Sequence, residues 1–271
     1  MTVFAFLIAS PAAASATALP EKITENTTLT AGKSPYEGES STISSGAILH
    51  IQPGVIVRLS GTLYVNGTLD ASGTETSPVV LTSKSDSAPR QWFGVKFEAE
   101  SGASTMRHVE LRYARTGIQV TRSSPLITDS WIHGNSEIGI SASSGSPQIV
   151  GDTISNNGNT GVSLSFPEGH PGSVDFDENL VEGNKGDGLY VSAPTAFTQI
   201  ESADLGNNSF VKNTARAIYY DAYATTSTSY HSNPIPPDIT TNTLSGNGQN
   251  GIWLRGKVKQ STTWENHGYA I

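Results

Sequence analysis

The chain of 271 residues contains no cysteine, which excludes disulfides, thiolate nucleophiles and thiolate metal sites. Charged residues make up only 15% of it and the net charge is −8. That balance removes the electrostatic case for a nucleic-acid partner or an anionic membrane surface. No apolar run reaches the roughly twenty residues needed to span a bilayer. Fourteen prolines interrupt any long helix. What remains is rich in Gly, Ser, Thr and Asn, with 27 glycines, a mix that suits short strands punctuated by turns better than a helical bundle.

The one apolar stretch near the start, Val3-Phe4-Ala5-Phe6-Leu7-Ile8-Ala9, is followed by Ala14-Ser15-Ala16, an A-x-A cleavage pattern. Residues 1–18 therefore read as a secretory signal whose basic n-region is missing. The competing reading is a buried strand or a short core helix. The signal reading places the mature protein outside the cell or on its surface, with no membrane span once the signal is removed.

Self-similarity organises most of the remainder. A small residue followed by an aliphatic one recurs at Gly117-Ile118, Gly139-Ile140, Gly161-Val162, Gly188-Leu189, Ala217-Ile218 and Gly251-Ile252, in steps of 22, 22, 27, 29 and 34 residues. Four residues before the last five stands an Asn: Asn135, Asn157, Asn184, Asn213 and Asn247. Seven before them is an apolar residue: Ile132, Ile154, Val181, Phe210 and Leu244. Twelve before them is another: Ile127, Ile149, Phe176, Leu205 and Ile239. Each period thus offers three inward columns, one per short strand, that stacked coils would bury as a single core. The Asn column reads as turn residues, since Asn tolerates the left-handed conformation and stacked amides can bond along a column. A second polar column stands at Asp152, Asn179, Asn208 and Asn242. Growth in the step length places insertions near 166–174, 193–200 and 221–238, after the third strand of each period.

Earlier in the chain the texture differs. Gly61, Gly67 and Gly73 are six apart and each precedes Thr, a rhythm that suggests a left-handed β-helix. The later coils vary in length and exceed eighteen residues, which that fold does not allow. The division expected is an entry segment over 19–42, a parallel β-helix over 43–260 and the start of a further module over 261–271. The last rests on the echo between Asn26-Thr27-Thr28-Leu29 and Ser261-Thr262-Thr263-Trp264; a chance coincidence of Thr residues is the alternative.

Gln52-Pro53-Gly54-Val55, Gly61 to Leu69, Ser77-Pro78-Val79, Trp92-Phe93-Gly94-Val95 and the Asn-x-x-x-Gly coils together resemble right-handed parallel β-helix repeat proteins of the pectin-lyase-like superfamily, of the secreted or cell-surface type. The resemblance implies an all-β, single-stranded, right-handed solenoid. It implies little about chemistry, because that fold carries lyases, hydrolases, adhesins and surface-layer proteins.

The search for chemistry starts with the densest acidic group, Asp175, Asp177, Glu178, Glu182 and Asp187. Calcium would suit such hard oxygen ligands, but solvated outer-face carboxylates explain it as well, and no metal site is assigned. No Arg or Lys has a spacing that fixes it beside Asp175 and Asp177, and Lys185 and Arg216 stand as possibilities alone. The six histidines, at 50, 108, 133, 170, 231 and 267, show no metal-ligand spacing. No hydrolase, P-loop or dinucleotide motif is present, so no catalytic residue and no cofactor are assigned.

One constellation stands out. Outward positions of the third strand read Gln119, Ser141, Ser163, Tyr190, Tyr219 and Trp253, and the next ones Thr121, Ser143, Ser165, Ser192, Asp221 and Arg255. Tyr190, Tyr219 and Trp253, flanked by Asp221 and Arg255, form the candidate ligand-binding strip. Against it stands the reading in which an insertion folds over the rings as a satellite core. The expected function is non-catalytic binding of a polysaccharide or another cell-envelope polymer. The alternatives are a polysaccharide lyase or glycoside hydrolase, and a structural stalk.

Overall fold

A computed structural model describes residues 15–99, 101, 103–166, 172–192, 200–221, 239 and 241–255. Its strands form three sheets of ten, ten and eight strands. In the first two-thirds of the chain every strand pairs with the third strand after it, so each coil gives one strand to each sheet. The pairing is parallel from Thr17–Ala18 against Tyr36–Gly38 to Arg216–Asp221 against Gln249–Arg255.

The expected inward columns meet in register. Ile132, Ile154, Val181, Phe210 and Leu244 stack in the first sheet. Ile118, Ile140, Val162, Leu189, Ile218 and Ile252 stack in the second, and Ile127, Ile149 and Phe176 in the third. All of them are buried. Period-two alternation sends the intervening side chains outward.

The solenoid starts earlier than the division at residue 43, and its first strand, Thr17–Ala18, lies inside the 1–18 expected as the signal. Thr17–Ala18, Lys22–Ile23 and Thr27–Leu29 already supply one strand to each sheet. Residues 19–42, expected as an entry segment, are therefore paired coils, and the six-residue Gly rhythm lies within the same three sheets. Residues 1–14 of the expected signal, the expected module start at 261–271, and residues 167–171, 193–199 and 222–238 within the insertions expected near 166–174, 193–200 and 221–238 lie outside the described residues.

The corner between the first and second sheets explains the Asn-x-x-x-Gly pattern. Left-handed backbone occurs there at Tyr113, Gly134, Asn156, Gly183, Lys212 and Gly246, one residue before the position expected to adopt it. The column Asn is needed for its amide instead. Asn157 Nδ2 donates to Asn184 Oδ1 at 2.9 Å, and that same oxygen accepts the Asn157 backbone N–H at 3.0 Å. Asn184 Nδ2 donates in turn to Asn213 Oδ1 at 2.9 Å and to the Ile154 carbonyl at 3.1 Å. Every rung thus satisfies buried donors of the coil before it. The column ends on Asn250, whose Oδ1 accepts from Asn247 Nδ2 at 2.8 Å. The glycine follows from this packing: a Cβ on Gly161 would stand 2.8 Å from Asn184 Nδ2 and 2.6 Å from Val181 Cγ1.

The second polar column turns the corner from the third sheet to the first, and it contains one exception. Asn179 and Asn208 each accept a backbone N–H from the previous coil, at 2.9 Å, and donate to the Ile149 and Phe176 carbonyls at 2.8 Å. Asp152 occupies an equivalent rung. Its Oδ1 accepts the Ser130 N–H at 2.7 Å, but its buried Oδ2 has no partner. Burial, with a smaller push from Asp129, raises its carboxyl well above the usual carboxylate range, against the pull of the Ser130 N–H.

Two measurements test these columns. Asn184→Leu should lose roughly 1–3 kcal/mol of unfolding free energy, because donors of Asn157 become buried and unpaired; an unchanged denaturation midpoint would reject the column's role. Asp152→Asn restores the missing donor and should stabilise the fold at neutral pH by about 1–3 kcal/mol. A carboxyl raised by folding penalises the charged form. The parent should therefore lose stability as pH climbs above about 4, the unfolded Asp value. The gap between the two proteins should open over that range and close at lower pH. Parallel pH profiles for parent and variant would contradict the account.

Candidate functional site

The second sheet carries the aromatic strip. Its central outward column runs Lys22, Thr42, Tyr64, Lys96, Gln119, Ser141, Ser163, Tyr190, Tyr219, Trp253. The last three positions are in direct register, as are Ser192, Asp221 and Arg255 beside them. Trp253 is 48% exposed. Tyr190 and Tyr219 are half-buried, with ring centroids 5.4 Å apart and planes tilted by 40°. Asp221 Oδ2 accepts from the Tyr219 hydroxyl at 3.5 Å and from Arg255 at 3.4 Å. The five residues read from the sequence thus share one surface.

Arg216 belongs to that surface as well. Its guanidinium carbon lies 3.7 Å from the centre of the Tyr219 ring. A bidentate pair with Asp187, at 2.8 Å on both arms, fixes it there and raises its already high pKa. One face of Tyr219 is therefore occupied by a cation, and Trp253 is the ring most open to a ligand. Arg216 starts its own strand and bonds to a residue 29 positions earlier, a pairing that repeat spacing does not reveal.

This geometry also divides the acidic group. Asp187 serves Arg216, Glu182 lies in the first sheet, and only Asp175 and Asp177 share a strand of the third. Arg216, considered as a base beside them, is on a different sheet. The partner that Asp175 does have is Asp204, directly opposite on the next strand. Burial first, then the charges of Asp204 and Asp177, raises the Asp175 carboxyl above its ordinary value. Asp177 accepts from Asn207 Nδ2 at 2.9 Å. Among the described residues no three His, Asp or Glu side chains are grouped as a metal centre.

Two further polar arrangements were not legible in the sequence. On the third sheet His50 Nδ1 lies 2.9 Å from Asp70 Oδ2, while Ser72 Oγ donates to Asp70 Oδ1 at 2.6 Å. Burial opposes ionisation of Asp70, but these hydrogen bonds hold its pKa below the usual value. Because the serine and the histidine both bind the carboxylate, Ser72 is not activated as a nucleophile in this arrangement. On the first sheet, Arg112 spans Asp86, at 2.7 and 2.6 Å, and Glu110. His133 Nε2 lies 3.0 Å from Glu110 Oε1. The His133 hydrogen bond is the main influence lowering Glu110, and the Arg112 hydrogen bond is the main one lowering Asp86.

Three parallel sheets, one strand of each per coil, with polar columns at their corners, define a parallel β-helix. Residues 93–267 match the family model described as right handed beta helix region, more than half of the chain, and the protein belongs to that family. No curated protein and no solved structure matched it. The described solenoid extends beyond the matched span on its N-terminal side, back to Thr17. No helix among the described residues is long and apolar enough to cross a membrane.

Arg112 offers a direct check of the first-sheet network. Arg112→Gln should move the Asp86 and Glu110 titrations upward, toward ordinary carboxylates, in a carboxyl-detected NMR titration. Groups held low by folding contribute stability above their unfolded value and lose it as pH falls through the folded one. The variant should accordingly show a shallower loss of stability on acidification than the parent. Unmoved titrations would mean that Arg112 does not govern this cluster.

Proposed function

We propose that the protein is an extracellular or cell-surface β-helix that binds a polysaccharide or another envelope polymer through the second-sheet strip, without catalysis. The observation that carries the reading is the register of Tyr190, Tyr219 and Trp253, three rings on successive coils where the three preceding coils hold Gln119, Ser141 and Ser163. Aromatic faces stack on the C–H faces of sugars, and Asp221 and Arg255 offer directional hydrogen bonds to hydroxyls or acids. Coils spaced about 4.8 Å apart approximate the advance of a sugar along an extended chain. Export is supported by the apolar stretch and the Ala14-Ser15-Ala16 motif directly before Thr17, the first paired residue.

A second reading, a polysaccharide lyase or hydrolase, is favoured by one observation: the facing Asp175 and Asp204, one of them shifted upward as a proton donor would be. Release of new reducing or unsaturated ends that disappears in Asp175→Asn would put that reading first.

For the binding reading, Trp253→Ala should weaken the retained glycan about fivefold, the worth of one stacked ring. Affinity should rise with oligosaccharide length as more rings are engaged. The melting temperature should hardly change, since the ring is half exposed. A large fall in melting temperature, with binding per folded molecule intact, would show a packing role instead.

A further inference from the structure

The first sheet carries an aromatic surface unrelated to the strip. Trp131 is 44% exposed although it lies in the middle of the solenoid. It stands on an outward column between Glu110 and Thr153. The ring is fixed on two sides. Its indole N–H donates to Ser155 Oγ at 2.9 Å, and its plane stacks on His133 with centroids 3.7 Å apart and 18° between planes. His133 is fixed in turn: Glu110 is held ionised, so the His133 Nε2–H donates to it, and Arg112 and Asp86 secure Glu110 from behind. An exposed Trp whose rotation is removed in advance loses little entropy when a ligand covers it.

The ring lines a groove of about 520 Å³ whose walls include Glu75, Pro78, His108, Glu110 and Asp129. The groove is large enough for one or two sugar units. Its ionised groups are carboxylates, with Arg107 reaching Asp129 from outside the lining at 3.4 Å. Carboxylates only accept hydrogen bonds, so the occupant must donate them, and a cationic donor is favoured by Coulomb attraction and by the face of the Trp ring. Glu110 is paired with Arg112 and Asp129 with Arg107, so the charge that an acidic sugar meets is chiefly that of Glu75.

We propose that this groove is a second carbohydrate site, one that takes an amino sugar with its ring face on Trp131 and its ammonium group toward Glu75, Glu110 and Asp129. The site does not depend on the strip at Trp253, and the two lie on different sheets. Together they would let one molecule engage a cationic glycan on one face and a second polymer on another.

Calorimetric titration of the full chain with three hexasaccharides tests the proposal: glucosamine, N-acetylglucosamine and galacturonic acid oligomers. The glucosamine hexamer should bind most tightly, and added salt should weaken it. Trp131→Ala should reduce that affinity about fivefold, Glu75→Gln should reduce it less, and Trp131→Phe, which keeps a stacking face, should retain most of it. Trp253→Ala removes whatever the strip contributes and should leave the Trp131-dependent site in place, which separates the two. The melting curve of Glu75→Gln should match the parent's, since Glu75 is exposed, and binding by the Trp131 variants, which lose the hydrogen bond to Ser155, is compared per folded molecule. Equal binding by Trp131→Ala and the parent, or loss of binding in Trp253→Ala alone, would overturn the second site. Equal affinity for the N-acetylated or the acidic hexamer would overturn its assignment to an amino sugar.

Discussion

Everything in this molecule depends on one constraint: no coil can bury its own apolar side chains. Each coil, from about 19 to 34 residues long, contributes one or two inward residues to each sheet, and these become a core only when the coils above and below cover them. The parallel backbone ladder sets the coils about 4.8 Å apart and forces equivalent positions to superimpose. Ile132 meets Ile154, and Ile154 meets Val181, and a one-residue slip of the ladder would turn the inward set outward.

Sharp corners create the second demand. Left-handed bends at residues such as Asn156 and Gly183 direct backbone N–H groups inward, away from water. The Asn columns answer this with one side chain per coil, whose oxygen takes two donors from the coil before and whose amide returns one to a carbonyl. Asp152 shows what the chemistry of the column requires. A carboxylate has the shape of the amide but lacks its donor, so burial penalises its charged form and raises its pKa well above the usual carboxylate range.

The outer faces are free of these demands, which is why function can vary there. Outward columns inherit the same stacking, so residues far apart in the chain become neighbours at fixed spacing. Tyr190, Tyr219 and Trp253 are aligned by it, as are Glu110 and Trp131. A solenoid of this kind offers a ligand long straight rows of side chains, a shape suited to a polymer.

Periodic features were legible in the sequence because periodicity is how stacking is written there. The inward columns, the Asn column and the Tyr190–Tyr219–Trp253 row all repeat at matching offsets from one small-aliphatic pair. The earliest coils were not recognised as part of the same solenoid, since Thr17–Ala18 and Lys22–Ile23 are only two residues long and carry no Asn marker. The bend was assigned to the Asn itself, whereas it falls one residue before; both placements fit the same spacing, and backbone angles alone distinguish them. Arg216 with Asp187, Asp175 with Asp204, and Trp131 on His133 were invisible for a common reason. The first two join residues of neighbouring coils, the third joins two outward positions of the single strand Trp131–His133, and in none of them does anything repeat to announce the pair. The sequence by itself determined the solenoid and its interior, because one stacking rule acts on every coil. Only the tertiary structure decided the charge pairs and the groove at Trp131, because they arise from side chains that meet once.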